Sequence, residues 1–391
     1  MRKYKRSLFL KILVFALGIG LLALALAGMA RPASAAAMPP SSQPVSAFSP
    51  AADNAACLSC HSQPGLTKTL PSGEVLSLTI DQSHFSASVH QGLNCTDCHK
   101  DITGFPHPAL RAQNLRSVSL QFYTVCQQCH ATQYNQTLES VHQKALVGGN
   151  LNAAICTDCH NPHSQTQIKD PKTGALLPGA RLLIPQVCAR CHSAIYDQYK
   201  QSVHGAALTQ ADNTDVPTCI DCHGVHNIED PTSTAFRISS PLLCAKCHTN
   251  ASIMNKYGIS TQVLNTYVAD FHGTTVTLFE KISPNQATNK PVCFDCHGVH
   301  EIKRVDDPVY GLAMKQNLLK ACQRCHPDAT TNFPAAWMSH YIPSPTHDAL
   351  VYYVNLFYKI FIPAVIGGML VYVISDIARR LLERRKGVKH V

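Results

Sequence analysis

The longest apolar stretches of the chain lie near its two ends. Residues 12–30 form an apolar run led by Arg2, Lys3, Lys5 and Arg6 and followed by Ala33-Ser34-Ala35, the small-residue pattern of a signal-peptidase site. Residues 1–35 therefore read as an export signal, or as a first membrane anchor if the run stays uncleaved. Residues 356–378 are apolar over a length that spans a bilayer as one helix, with Lys359 in its first turn and Tyr352, Tyr353 and Tyr358 at the level of an aromatic belt. No comparable run separates these two. Short helical patterns at 134–141 and 196–203 precede Gly148-Gly149 and Gly205 as terminators, and a hairpin at 68–80 turns on Pro71-Ser72-Gly73. Residues 36–50 are a Pro/Ser-rich linker. The expected fold is mainly α with much irregular structure, closed by one C-terminal transmembrane helix.

Charge sharpens the division. The net charge is +9, but residues 1–35 hold six Lys/Arg and no acid, and residues 379–391 hold six and one Glu, so the ends carry +11 and the stretch between them −2. A protein that grips nucleic acid on a broad basic face is excluded. Arg379, Arg380, Arg384, Arg385, Lys386 and Lys389 follow the second apolar run at once, so the positive-inside rule makes 379–391 a cytoplasmic tail and places the region before the helix on the periplasmic, extracytoplasmic side.

The eighteen cysteines change the picture most. All fall in C-x-x-C-H pentads: Cys57/Cys60/His61, Cys95/Cys98/His99, Cys126/Cys129/His130, Cys156/Cys159/His160, Cys188/Cys191/His192, Cys219/Cys222/His223, Cys244/Cys247/His248, Cys293/Cys296/His297 and Cys322/Cys325/His326. On a helical turn positions i, i+3 and i+4 share a face, so two thiols can meet the two vinyl groups of one haem while the imidazole reaches its iron. Zinc knuckles and C-x-x-C disulfides do not require the histidine. The pentads predict nine covalently attached haem c groups.

Pentad type exposes a repeat. Four read C-x-D-C-H, with Asp97, Asp158, Asp221 and Asp295; the others carry neutral or basic spacers, a mixture expected to spread the haem potentials. Each unit is a first pentad, a helix-like stretch ending in histidine, then an acidic pentad followed closely by another histidine. Four two-haem units and a half unit fill 51–349, and 350–378 is the membrane helix with its approach. The histidines in register are His90, His142, His204, His272 and His340 behind the first pentads, and His107, His163, His226 and His300 behind the acidic ones. Nine pentads thus face nine distal candidates, enough to close every iron. His84 and His347 are extras, His390 lies in the tail, and the linear order leaves open which distal histidine serves which pentad. With so few residues per haem, the porphyrin faces are expected to supply much of the buried apolar surface.

On these motifs residues 57–340 resemble the bis-histidine multihaem c-type cytochromes of bacterial and archaeal anaerobic respiration. The resemblance implies haem-stacked electron transfer between the membrane quinone pool and periplasmic or extracellular acceptors. In role the chain is similar to the membrane-anchored quinol dehydrogenases of periplasmic nitrate and nitrite respiration. It departs from them in anchoring by its far end and in carrying more haem motifs. One helix offers little quinone pocket, so a membrane quinone-interacting subunit, a b-type cytochrome or a polytopic quinone-binding protein, is the expected partner, with a soluble or extracellular redox acceptor beyond. The rival is a multihaem reductase of nitrite, hydroxylamine or a sulfur oxyanion with one open haem, which would need a pentad that departs from the pattern.

Overall fold

A computed structural model describes residues 54–103, 107–337 and 340–385. The export signal, the linker and residues 386–391 of the tail lie outside them.

The chain folds into short helices joined by turns. Each pentad occupies a helical turn: Asn54–His61, Cys95–Cys98, Cys156–Cys159, Cys219–His223, Thr234–His248 and Cys293–His297 contain or begin one, and Pro178–Ala189, Lys315–Gln323 and the 3-10 turn Tyr123–Gln128 lead into another. The hairpin forms as expected: β1 (Thr67–Thr69) pairs antiparallel with β2 (Val75–Ser77), Lys68 opposite Leu76, and the Gly73 amide donates to the Leu70 carbonyl across the turn.

The helical patterns at 134–141 and 196–203 do not run through to their histidines. Helices Ala131–Leu138 and Ser193–Lys200 stop short, and new helices, Val141–Val147 and Val203–Ala211, begin one residue before His142 and His204. The cause is the serine. Ser140 Oγ accepts from the His142 amide and Ser202 Oγ from the Gly205 amide, which makes each an N-cap, and a capping hydroxyl competes with continuation of the preceding helix. Asp270 does the same for Phe271–Ile282, so His272 also sits in the first turn of a helix and not at the end of one.

Gly205 is likewise not a terminator. It lies inside Val203–Ala211, where a Cβ would stand 1.9 Å from the Tyr199 carbonyl oxygen; at the matching Gly273 it would stand 2.0 Å from that of Tyr267. Glycine is required because two helices meet there at a corner with no room for a methyl group. Gly205→Ala is expected to destabilise the fold by about 3 kcal/mol, the upper range for overpacking against backbone. A thermal melt of the variant overlaying that of the parent would refute this account. Gly148 and Gly149 do end their helix, Gly149 at φ 95°.

Apolar packing between side chains is sparse. Ile238, Val276 and Val292 form a buried cluster with Phe279 and Phe294 in the fourth unit.

The C-terminal helix, Ala349–Arg385, has 37 residues and a mean hydropathy of 2.1 over its most apolar window, long and apolar enough to cross a membrane. It extends beyond 356–378 in both directions. At its far end Asp376 binds Arg379 at 2.9 Å and Arg380 at 2.6 Å, one turn on, and these pairs support helix through the basic residues.

Candidate metal centres

The acidic pentads are built alike. In each, the spacer aspartate folds back on its own helix start: Oδ2 of Asp97, Asp158, Asp221 and Asp295 accepts from the backbone amides of Asn94, Ile155, Thr218 and Val292 at 2.6–2.8 Å. Three of them also bind an arginine that sequence reasoning missed: Arg116–Asp158 at 2.8 Å, Arg181–Asp221 at 2.9 Å and Arg237–Asp295 at 2.8 Å. The same guanidinium groups donate to the carbonyls of Leu151 and Ala153, of Val216 and of Lys290. Each aspartate therefore caps a turn, and these three clamp the acidic pentad to the helix that precedes or carries the start of the unit's first one. The basic spacers are engaged too, Arg190 Nη1 donating to the Asp158 carbonyl and Arg324 Nη1 to that of Asp295. The charged spacers thus fasten the pentads to neighbouring backbone and helices.

No disulfide joins any of the eighteen cysteines. Within units the first thiols of the two pentads approach to hydrogen-bonding range, Cys57 with Cys95, Cys126 with Cys156, Cys188 with Cys219 and Cys244 with Cys293. Between units Cys98, Cys159, Cys222 and Cys296 lie close enough to both thiols of the next pentad to feel their charge. Burial is the main cause that pushes Cys222 and Cys296 up to about 11. The pentads therefore follow one another in space in the order they have in sequence.

The two thiols of a pentad, alike in the sequence reading, are not equally enclosed by the protein. Cys60, Cys129, Cys191 and Cys325, the second thiols of the first three units' opening pentads and of the half unit, are exposed, whereas their partners Cys57, Cys126, Cys188 and Cys322 are half-buried. The second thiols of the first three acidic pentads, Cys98, Cys159 and Cys222, are exposed as well. In the first three units the opening pentad's first thiol is half-buried where the two helical turns meet. Cys129, Cys191 and Cys325 stand near Cys98, Cys159 and Cys296 of the preceding unit. In the fourth unit the order is reversed, Cys244 exposed and Cys247 half-buried.

The histidines form nine facing pairs. Ring centres stand 6.1–6.4 Å apart in His61–His107, His90–His130, His99–His163, His142–His192, His160–His226, His204–His248, His223–His300, His272–His326 and His297–His340. Every pair joins one pentad histidine to one non-motif histidine, and none is used twice. An imidazole nitrogen binds a metal at about 2 Å, so two rings trans across one ion stand roughly 6 Å apart centre to centre. Among the described residues no three His, Cys, Asp or Glu side chains converge into a metal site of their own.

The pairing follows a rule. A histidine behind a first pentad reaches forward to the first pentad of the next unit: His90 to His130, His142 to His192, His204 to His248, His272 to His326. A histidine behind an acidic pentad reaches back to the acidic pentad of the unit before: His163 to His99, His226 to His160, His300 to His223. At the two ends of the array the remaining histidines pair locally: His107 with His61, and His340 with His297. A backbone bond repeats beside each of three junctions, the amides of Val89, Val141 and Val203 donating to the carbonyls of Gln165, Ile228 and Ile302 at 2.8–2.9 Å.

Burial keeps several of these rings neutral, the form that ligates a metal. It pushes His204 and His297 down to about 4, each helped by the like charge of its partner ring, and lowers His99, His142, His163, His223, His226, His248, His300 and His340. His84 and His347 stand outside the pairs. His84 lies 3.4 Å from Asp81, and His347 bonds Asp348 at 2.8 Å and stacks on Tyr341. Trp337 packs edge-on to His340 and donates to Asp270.

No family model and no curated protein matches the chain.

Proposed function

We propose that the nine histidine pairs hold nine haem c groups, each attached through the two thiols of its pentad, and that the chain is a membrane-tethered electron carrier. One observation carries the reading: nine pentad histidines each face one non-motif histidine at the separation that a single iron between them requires, with no pentad left over. Two protein ligands on opposite faces suit a metal whose other ligands come from a macrocycle, and the sparse side-chain core suits a chain wrapped on cofactors. Haem iron bound there supplies one-electron redox chemistry. The residues hold the rings neutral, fix both axial positions and keep the pentads in an unbroken sequence. A reductase with an open iron needs a pentad histidine without a partner, and all nine have one.

The C-terminal helix tethers this array, with the haem region on the periplasmic side and the basic tail in the cytoplasm. Electrons pass between the quinone pool, through a membrane quinone-interacting subunit docked on the helix, and a soluble or extracellular acceptor. Gly367 and Gly368 mark a side on which that subunit can pack closely.

The test is EPR of the oxidised, detergent-purified protein beside a haem-to-protein ratio. Nine low-spin irons are expected in two classes. Six pairs have rings within 35° of parallel, which gives rhombic signals, whereas His90–His130, His204–His248 and His272–His326 cross at 60–67°, which gives broad, large-g signals. A stoichiometric high-spin iron would overturn the closed-carrier reading in favour of a reductase.

A further inference from the structure

The fourth unit departs from the other three at one position. Two residues before the forward-reaching histidine, units one to three carry Ser88, Ser140 and Ser202, all buried, and the fourth carries Asp270. The replacement keeps the helix cap, because Asp270 Oδ1 accepts from the His272 amide at 2.8 Å. It adds a contact of a kind a serine hydroxyl does not supply. The same Oδ1 lies 2.9 Å from Nδ1 of His272, while Oδ2 accepts from Trp337 Nε1 at 3.1 Å. Elsewhere in the array the Nδ1 atoms of His61, His90, His160 and His340 meet carbonyl, amide or hydroxyl oxygens.

We infer that Asp270 is a positioning residue that makes the iron between His272 and His326 harder to reduce than its counterparts in the earlier units. This rests on the haem reading above. A ligating imidazole that gives its second N–H to a carboxylate is fixed in one tautomer and is a stronger donor to the metal, and a stronger donor favours ferric over ferrous iron. Trp337, held by the other carboxylate oxygen, fixes the rotamer that keeps Oδ1 on the ring. The array therefore has a low-potential iron at its C-terminal end, where the chain turns toward the membrane helix.

The comparison that tests this is internal to the molecule. Three irons belong to the crossed-ring class, two with serine at the position in question and one with Asp270. In an EPR-monitored redox titration of the full chain, one large-g iron is expected to reduce below the other two. In Asp270→Ser, which restores the residue of the other units, it should move up by about tenfold in its reduction equilibrium, about 59 mV for a one-electron couple. Asp270→Asn, which retains a side-chain acceptor for the cap, is measured in parallel and should give a smaller shift of the same sign. It decides the matter if the serine variant folds poorly. Trp337→Phe should move that iron less than Asp270→Ser does. Nine haems per chain with titrations superimposable on the parent in both Asp270 variants would overturn the role of Asp270 alone; a ratio short of nine in the parent would instead overturn the haem reading.

Discussion

Replacing His204 by alanine should turn one iron in nine from closed to open. His204 faces His248 at 6.3 Å, is half-buried, and is held neutral by its desolvation. Removing its ring takes away one axial ligand, while Cys244, Cys247 and His248 still hold the haem proposed there. The haem-to-protein ratio should stay at nine, one stoichiometric high-spin ferric signal should appear, and the reduced protein should bind one equivalent of carbon monoxide where the parent binds none. The crossed-ring class should lose one member. His84→Ala is the control, since His84 meets Asp81 and lies outside the nine pairs. If the His204 variant stays wholly low-spin and refuses carbon monoxide, the forward-reaching pairing is wrong. The corner glycine next to it, Gly205, is left untouched, so loss of the fold is not the expected outcome.

Deleting residues 350–391 should have the other large effect. The truncation removes nearly all of Ala349–Arg385, a helix with none of its most apolar window buried against the rest of the protein. The truncated protein should leave the membrane fraction, and its reduction by quinol in membranes should fall below detection, while dithionite still reduces all nine irons. Quinol-dependent reduction at the parental rate would eliminate docking through this helix. The histidine pairs all lie before residue 350, so the array itself has no dependence on the segment.

The sequence made the centres legible and left their wiring open. Each pentad and each facing histidine could be identified from register, because both recur at fixed local spacings. Which histidine faces which pentad could not, because the partners belong to different units: His90 and His130 are separated by one pentad, His300 and His223 by two. The clamps Arg116, Arg181 and Arg237 escaped for the same reason, lying 40 to 58 residues from their aspartates. Arg181 and Arg237 did leave a signal, each seven residues before a first pentad's opening cysteine. The helix breaks at Ser140 and Ser202 were misread because propensity favours continuation, and only the side-chain bond to the next turn decides otherwise.

The local closures at the two ends bear on how such a chain can evolve. His61–His107 and His297–His340 finish the array without help from a neighbour, while every junction between them obeys one rule. A gene that lost residues 126–187 would lose two pentads together with His142 and His163, which face His192 and His99; His90 would then face His192, and His226 would face His99. A tandem duplication of the same segment would work in reverse. Length is therefore adjustable in whole steps of two histidine pairs, the number of pairs always stays odd, and neither end has to be reinvented when the array grows or shrinks.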